Sequence, residues 1–175
     1  RVLPPEAQAR MLAELGYQGI GYTGTQQIPE MLAALDKFGL KMFSTYVGAT
    51  VGPNGPTVEP GLEQAVAALK GRDTILWLFI RGNAPDAQQQ AVEITRQVAD
   101  LAAAADLRVA LYPHFGFYVD RIEVALRVAE QARRPNVGVS FNLCHFLRVG
   151  DAANLEQRLR EALPQLMLVS INGAD

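Results

Sequence analysis

Three apolar runs in this chain each end in a polar cluster. Val109 to Leu111 leads into Tyr112, Pro113 and His114; Val137 to Phe141 leads into Asn142, Cys144 and His145; Leu166 to Val169 leads into Ser170 and Asn172. Imidazole titrates near neutrality, so His114 could move a proton, and either histidine could hold a ligand. Phenol, amide and hydroxyl groups match a hydroxylated small molecule. In extended chain, residues two apart share a side, which groups Tyr112 with His114, Ser140 with Asn142, and Ser170 with Asn172. His114 is therefore the preferred acid/base, with Tyr112, Asn142, His145, Ser170 and Asn172 as binding candidates. Tyr46, closing an earlier strand, and Arg81, following the Trp77 run, are second-rank binding candidates. Arg81 could clamp a carboxylate or phosphate with two parallel bonds.

Each candidate also has a purely structural reading. His114 could order its own turn by bonding a loop carbonyl, and His145 could do likewise. A buried Asn142 needs hydrogen-bond partners, which a neighbouring strand supplies as well as a ligand does, and the same holds for Ser170 and Asn172. Arg81 could be a solvated rim residue. Trp77, inside an unbroken apolar run, reads as core. Cys144 has only the adjacent His145 as a base, and adjacent residues on a strand point apart, so a thiolate nucleophile is not expected.

The elements that must position these groups alternate. Helices are predicted over 4–15, 29–38, 62–69, 86–105, 120–133 and 154–163, and strands over 18–23, 40–47, 74–80, 108–112, 136–142 and 165–172, from apolar periodicity and glycine stops such as Gly16, Gly39 and Gly71. Gly48 to Pro60 is the longest loop, rich in Gly and Pro, of a length that is uncommon unless functional or disordered. Six parallel strands and six helices in strict alternation suit a doubly wound sheet or a (β/α)8 barrel. No glycine-rich phosphate turn opens any helix, which favours the barrel. An eight-stranded barrel takes about 250 residues. The expectation is thus an incomplete α/β barrel of the TIM type, in one domain over 1–175, with a first strand and an eighth βα unit outside this chain.

Composition narrows the partners. With 175 residues, 49% apolar content and a net charge of −2, the chain can bury one sizeable core and offers no broad basic face for nucleic acid. No apolar run approaches the roughly 20 residues that span a bilayer. One cysteine allows no intrachain disulfide. The chain starts at Arg1 and shows no signal peptide, so a cytoplasmic location is the default, with export left open.

The phrasing of the units resembles the sugar phosphate isomerase/epimerase superfamily, the xylose isomerase-like barrels. Leu15 to Gly21 is similar to that family's early "LGydGvE", with Gly21 at its Glu. Val109 to His114 is similar to "lalEnH", with Tyr112 at the metal-binding Glu. Val137 to His145 is similar to "vGl.lDtgH", with Asn142 at the metal-binding Asp. Leu168 to Asn172 is similar to "hvHlkD", with Ser170 at the metal-binding His. The resemblance implies a sugar or sugar-phosphate isomerase or epimerase moving protons next to a carbonyl, a small carbohydrate as partner, and compatibility with a homo-oligomer. It also implies a divalent Mn, Mg or Zn ion, but the ligands for that metal are replaced here by neutral groups, so no metal residue and no cofactor is assigned. The alternative is a non-catalytic carbohydrate-binding barrel that has lost its metal site. Apurinic endonuclease chemistry, which needs several zinc ions, does not suit a chain with two histidines.

Overall fold

The computed structural model describes residues 3–171. Six parallel strands lie side by side: β1 (Gly19–Tyr22), β2 (Lys41–Val51), β4 (Ile75–Gly82), β5 (Arg108–Leu111), β6 (Val137–Asn142) and β7 (Leu166–Ser170), with the two-residue β3 (Thr57–Val58) running antiparallel to β2. Sequence neighbours are spatial neighbours throughout, as right-handed βαβ units require. The helices are α1 (Pro5–Glu14), α2 (Ile28–Lys37), α3 (Leu62–Leu69), α4 (Ala87–Ala103), α5 (Ile122–Ala132), α6 (Leu143–Arg148) and α7 (Leu155–Ala162). The edge strands β1 and β7 are half-exposed where β6 is buried at every position, as expected of a barrel that six strands leave open.

Side-chain alternation divides the sheet into two faces. Val47, Ala49, Leu76, Leu78, Ile80, Val109, Leu111, Val137 and Val139 face the helices and join one large core with them. The opposite, concave face carries a smaller cluster of Ile75, Trp77, Ala110 and Tyr112, with Tyr46, Phe79, Met167 and Leu168 packed on it. Cross-strand register makes a layer of Tyr46, Trp77, Ala110 and Gly138. Two large side chains are followed by two small ones, so the indole can lean across β5. Trp77 Nε1 donates to Ser140 Oγ at 2.5 Å, and that hydroxyl donates to the Leu111 carbonyl at 3.1 Å. Both buried polar groups are thereby satisfied, each bond contributing about 1 kcal/mol. Trp77 is core, as predicted, but inside the barrel.

Two expectations need correction. There are seven α-helices among the described residues, not six, because α6 starts directly where β6 ends. His145 and Cys144 therefore lie on a helix rather than on strand continuation, and the strand argument about Cys144 does not apply. The Gly/Pro-rich stretch is also more ordered than predicted. β2 extends to Val51, β3 pairs back on it, and Glu59 N continues the ladder to Gly48 O at 2.9 Å. The buried Gln90 of α4 pins the hairpin by exchanging two 2.9 Å bonds with the Gly52 backbone, one to its N–H and one to its C=O.

Candidate active site at the strand ends

The carboxyl end of β5 brings most of the candidates together. Tyr112 is 4% exposed. Its ring packs 4.3 Å from Trp77 and 5.5 Å from Tyr46, which itself stacks on Trp77 at 4.6 Å. Burial, and then the neighbouring Tyr46, hold the Tyr112 phenol far above its ordinary range, so it keeps its proton. Burial raises Tyr46 as well. Asn142 Nδ2 approaches the Tyr112 hydroxyl at 3.5 Å as a donor, and the Tyr46 hydroxyl is its neighbour on the other side.

Beyond Tyr112 the chain turns tightly, with His114 N bonded to Val119 O at 2.9 Å and Phe117 N to His114 O at 3.0 Å. The His114 ring stacks on Phe117 at 4.0 Å. Its Nδ1 lies 2.9 Å from the Phe115 carbonyl. A carbonyl can only accept, so this contact is made by a protonated Nδ1 and leaves Nε2 free to exchange a proton with a ligand. The bond that orders the turn therefore uses one ring nitrogen and leaves the other unengaged by it.

His145 comes from α6, whose first turn is capped by Asn142: the side-chain oxygen accepts the His145 N–H at 3.0 Å. The two imidazoles meet at 3.9 Å between ring centres, and each lies 5.6 Å from the Tyr112 ring. His145 Nδ1 is buried with no partner among the described residues. Burial, then His114 and Arg148, pull its pKa down to about 4, so the ring is neutral at pH 7.

A cavity of about 320 Å³ opens over this cluster, lined by Tyr46, Glu59, Phe79, Tyr112, His114 and Phe117 among others. Glu59 was not among the sequence candidates; the unusual length of its loop was the only signal. One of its oxygens, Oε1, is buried without a partner among the described residues, and burial raises its pKa against the opposing pull of the Gly48 N–H and Arg81. A wider groove of about 860 Å³ lies on the helical layer between α4 and α5, bordered by Gln88, Gln89, Arg96 and Gln131. Ligands in barrels of parallel strands bind at the strand carboxyl ends, which makes the mouth the candidate site.

The remaining candidates lie around this centre. Ser170 pairs in register with Asn142 on β7 and is half-buried. Asn172 lies outside the described residues. Arg81 is exposed on the rim, with Nε donating to Thr50 Oγ1 at 3.2 Å and its guanidinium 5.9 Å from the Phe79 ring centre.

The donor set does not fit a hard divalent cation. Among the described residues no three His, Cys, Asp or Glu side chains come together. The phenol of Tyr112 stays protonated, and the Asn142 oxygen is engaged in capping α6. Hard cations are held by anionic oxygen ligands, which these positions lack.

No curated protein matches the chain. Among proteins of known structure, the chain is similar to 3-keto-D-glucoside 4-epimerase YcjR from E. coli, at 18% identity and a TM-score of 0.79, over 98% of this chain and 75% of that one. It is similar to the probable 3-DHS dehydratase AsbF of Bacillus anthracis, at 17% identity and a TM-score of 0.74, over 97% and 68%. It is also similar to D-allulose 3-epimerase from Methylomonas sp., at 15% identity and a TM-score of 0.74, over 96% and 66%. These likenesses establish a shared fold. The family model described as xylose isomerase-like TIM barrel matches residues 9–175, and with six parallel strands curled around an aromatic mouth, this chain belongs to that family.

Proposed function

We propose that the protein is a sugar isomerase or epimerase that moves a proton on the carbon next to a carbonyl. The observation that carries this reading is the cavity in which an acceptor nitrogen of His114 and the protonated phenol of Tyr112 sit together at the strand ends. Two of the similar structures are sugar epimerases, which supports a carbohydrate as ligand.

The chemistry follows from the residues. A proton next to a carbonyl is acidic only if charge on the oxygen is stabilised as it develops. The Tyr112 O–H can donate to that oxygen within a partly water-excluded aromatic site, where such a bond is stronger than in water. His114 Nε2 can take or return the carbon proton, a role worth roughly 10²–10⁴-fold in rate. Tyr46 and Phe79 offer flat apolar faces against the C–H side of a sugar ring. No step here runs through a metal ion, because the donor set does not suit one.

The test is hydrogen exchange. The natural full-length protein is incubated with neutral and phosphorylated keto-sugars in D2O, and loss of C–H signal is followed by NMR. The expected result is exchange at one carbon beside the carbonyl, falling roughly 10²–10⁴-fold in His114→Gln with little change in melting temperature. Saturable binding with no exchange would favour a binding barrel. Unchanged exchange in His114→Gln would remove that residue from the chemistry.

A further inference from the structure

We propose that Glu59, on the hairpin after β2, is the second proton-transfer group of this cavity, facing an uncharged keto-sugar across from His114. The proposal rests on the functional reading above and adds to it the partner acid/base and the charge class of the substrate.

Position is the first argument. Glu59, on the hairpin that pairs with β2, and His114, at the end of β5, both line the cavity. Phe79 of β4 lies between them in the same wall. A sugar ring seated over that wall would meet the carboxylate at one end and the imidazole at the other. Inverting a stereocentre through a planar intermediate needs one group to remove the proton from one face and another to deliver a proton to the opposite face.

The state of the carboxylate is the second argument. Oε1 is buried and has no partner among the described residues, and an unsatisfied buried acceptor in a native structure calls for a ligand or a chemical role. The backbone that holds it is rigid: Glu59 N bonds Gly48 O at 2.9 Å, and Gln90 locks the hairpin turn at Gly52. The groups facing it are Tyr46 and the Gly48 N–H from β2, Arg81 from β4, and Tyr112 and His114 from the end of β5, while Glu63 of α3 lies along the groove on its outer side. Burial outweighs Arg81 and raises the pKa, moving the carboxylate toward the strength a general base needs near neutral pH.

The substrate class follows from charge. The cavity lining includes one carboxylate and no lysine or arginine, and the guanidinium nearest to it, Arg81, acts on Glu59 and donates to Thr50. A phosphate dianion beside Glu59 would be repelled, whereas a neutral keto-sugar would not.

The step balances without a co-reactant. The Glu59 carboxylate takes the proton from the carbon beside the carbonyl, the C–H electron pair becomes the C=C bond, and the carbonyl π pair moves onto oxygen, giving an enediolate stabilised by the Tyr112 O–H. Protonated His114 then delivers a proton to the other face, restoring the carbonyl. Glu59 returns its proton to water, and His114 regains one.

The experiment uses the same D2O exchange assay on wild type, Glu59→Gln and Glu59→Asp. In Glu59→Gln the exchange kcat should fall roughly 10²–10⁴-fold, with KM within a few-fold of wild type and the acidic limb of the kcat/KM pH profile lost. Glu59→Asp should restore part of the rate and keep that limb, which a merely structural role would not do. If wild type exchanges and Glu59→Gln exchanges equally well, the inference is overturned while the functional reading stands. Should Glu59→Gln lose activity by unfolding, an Asp variant that melts as wild type but has no activity-linked acidic limb would overturn it. A wild type that exchanges nothing overturns both, and exchange confined to phosphorylated sugars overturns the substrate class.

Discussion

His145 should make the protein lose stability in mild acid in a way that one substitution can isolate. Its ring packs against Tyr112 and His114, and burial, His114 and Arg148 lower its pKa from 6.5 to about 4. In the unfolded chain the ring protonates near its ordinary value, so between those two pH values the unfolded state holds a proton that the folded state does not. Stability therefore rises with pH across this window and is lost as pH falls from about 6.5 to about 4, below which the effect is constant. At 1.36 kcal/mol per pH unit the full difference is about 3 kcal/mol. The ring is only partly buried, and solvent screening reduces this to about 1–2 kcal/mol. Asp36, Asp100, Asp151 and Glu161, whose pKa values are lowered by bonds to Arg72, Arg134, Asn154 with Arg158, and Gln157 with Arg158, also lose stability in acid, so a reference protein is needed. Urea unfolding of wild type and His145→Gln at pH 7.5 and pH 4.5 provides it. Wild type should lose about 1–2 kcal/mol more than the variant between the two conditions. Equal losses, within about 0.3 kcal/mol, would refute the claim that this imidazole is buried in its neutral form.

Asn142→Ala should cost about 1 kcal/mol in urea unfolding through loss of the α6 cap, while Asn142→Asp, an equally good cap, should not; equal stability of Ala and wild type would show that the cap carries no weight. Millimolar manganese or zinc should leave the melting temperature unchanged, because Tyr112, Asn142 and Ser170 supply neutral donors, and a saturable rise with stoichiometric metal by elemental analysis would overturn that reading of the mouth.

Much of the architecture is legible in the sequence because it depends on short-range periodicity. A period of two marks the strands, and it places Ser140 and Asn142 on one face of β6 with Val137 and Val139 on the other, against the helices; Trp77, read only as core, turns out to lie on the concave face. The helix α6 is harder to see. It is six residues long and follows β6 with no intervening loop, so its first residues look like continuing strand. The signal was there in Asn142 as a cap and in Gly150, which adopts a positive φ just past the helix end. Asn142 illustrates the ambiguity of polar residues at strand ends: its type suggested a ligand contact, and its oxygen is spent on the His145 N–H.

The sequence by itself determined the fold class and the direction of the strands, since those follow from alternation and from where apolar runs stop. Tertiary structure alone decided which groups meet. Glu59 reaches the mouth because a hairpin folds back on β2 and is clamped by Gln90 from α4, 38 residues away from the glycine it holds. Trp77 reaches Ser140 across 63 residues because Ala110 and Gly138 leave room. The same holds for the neutral His145 and the raised Glu59: a pKa is set by desolvation and by charges a few ångströms away, contributed by elements that the linear chain keeps far apart.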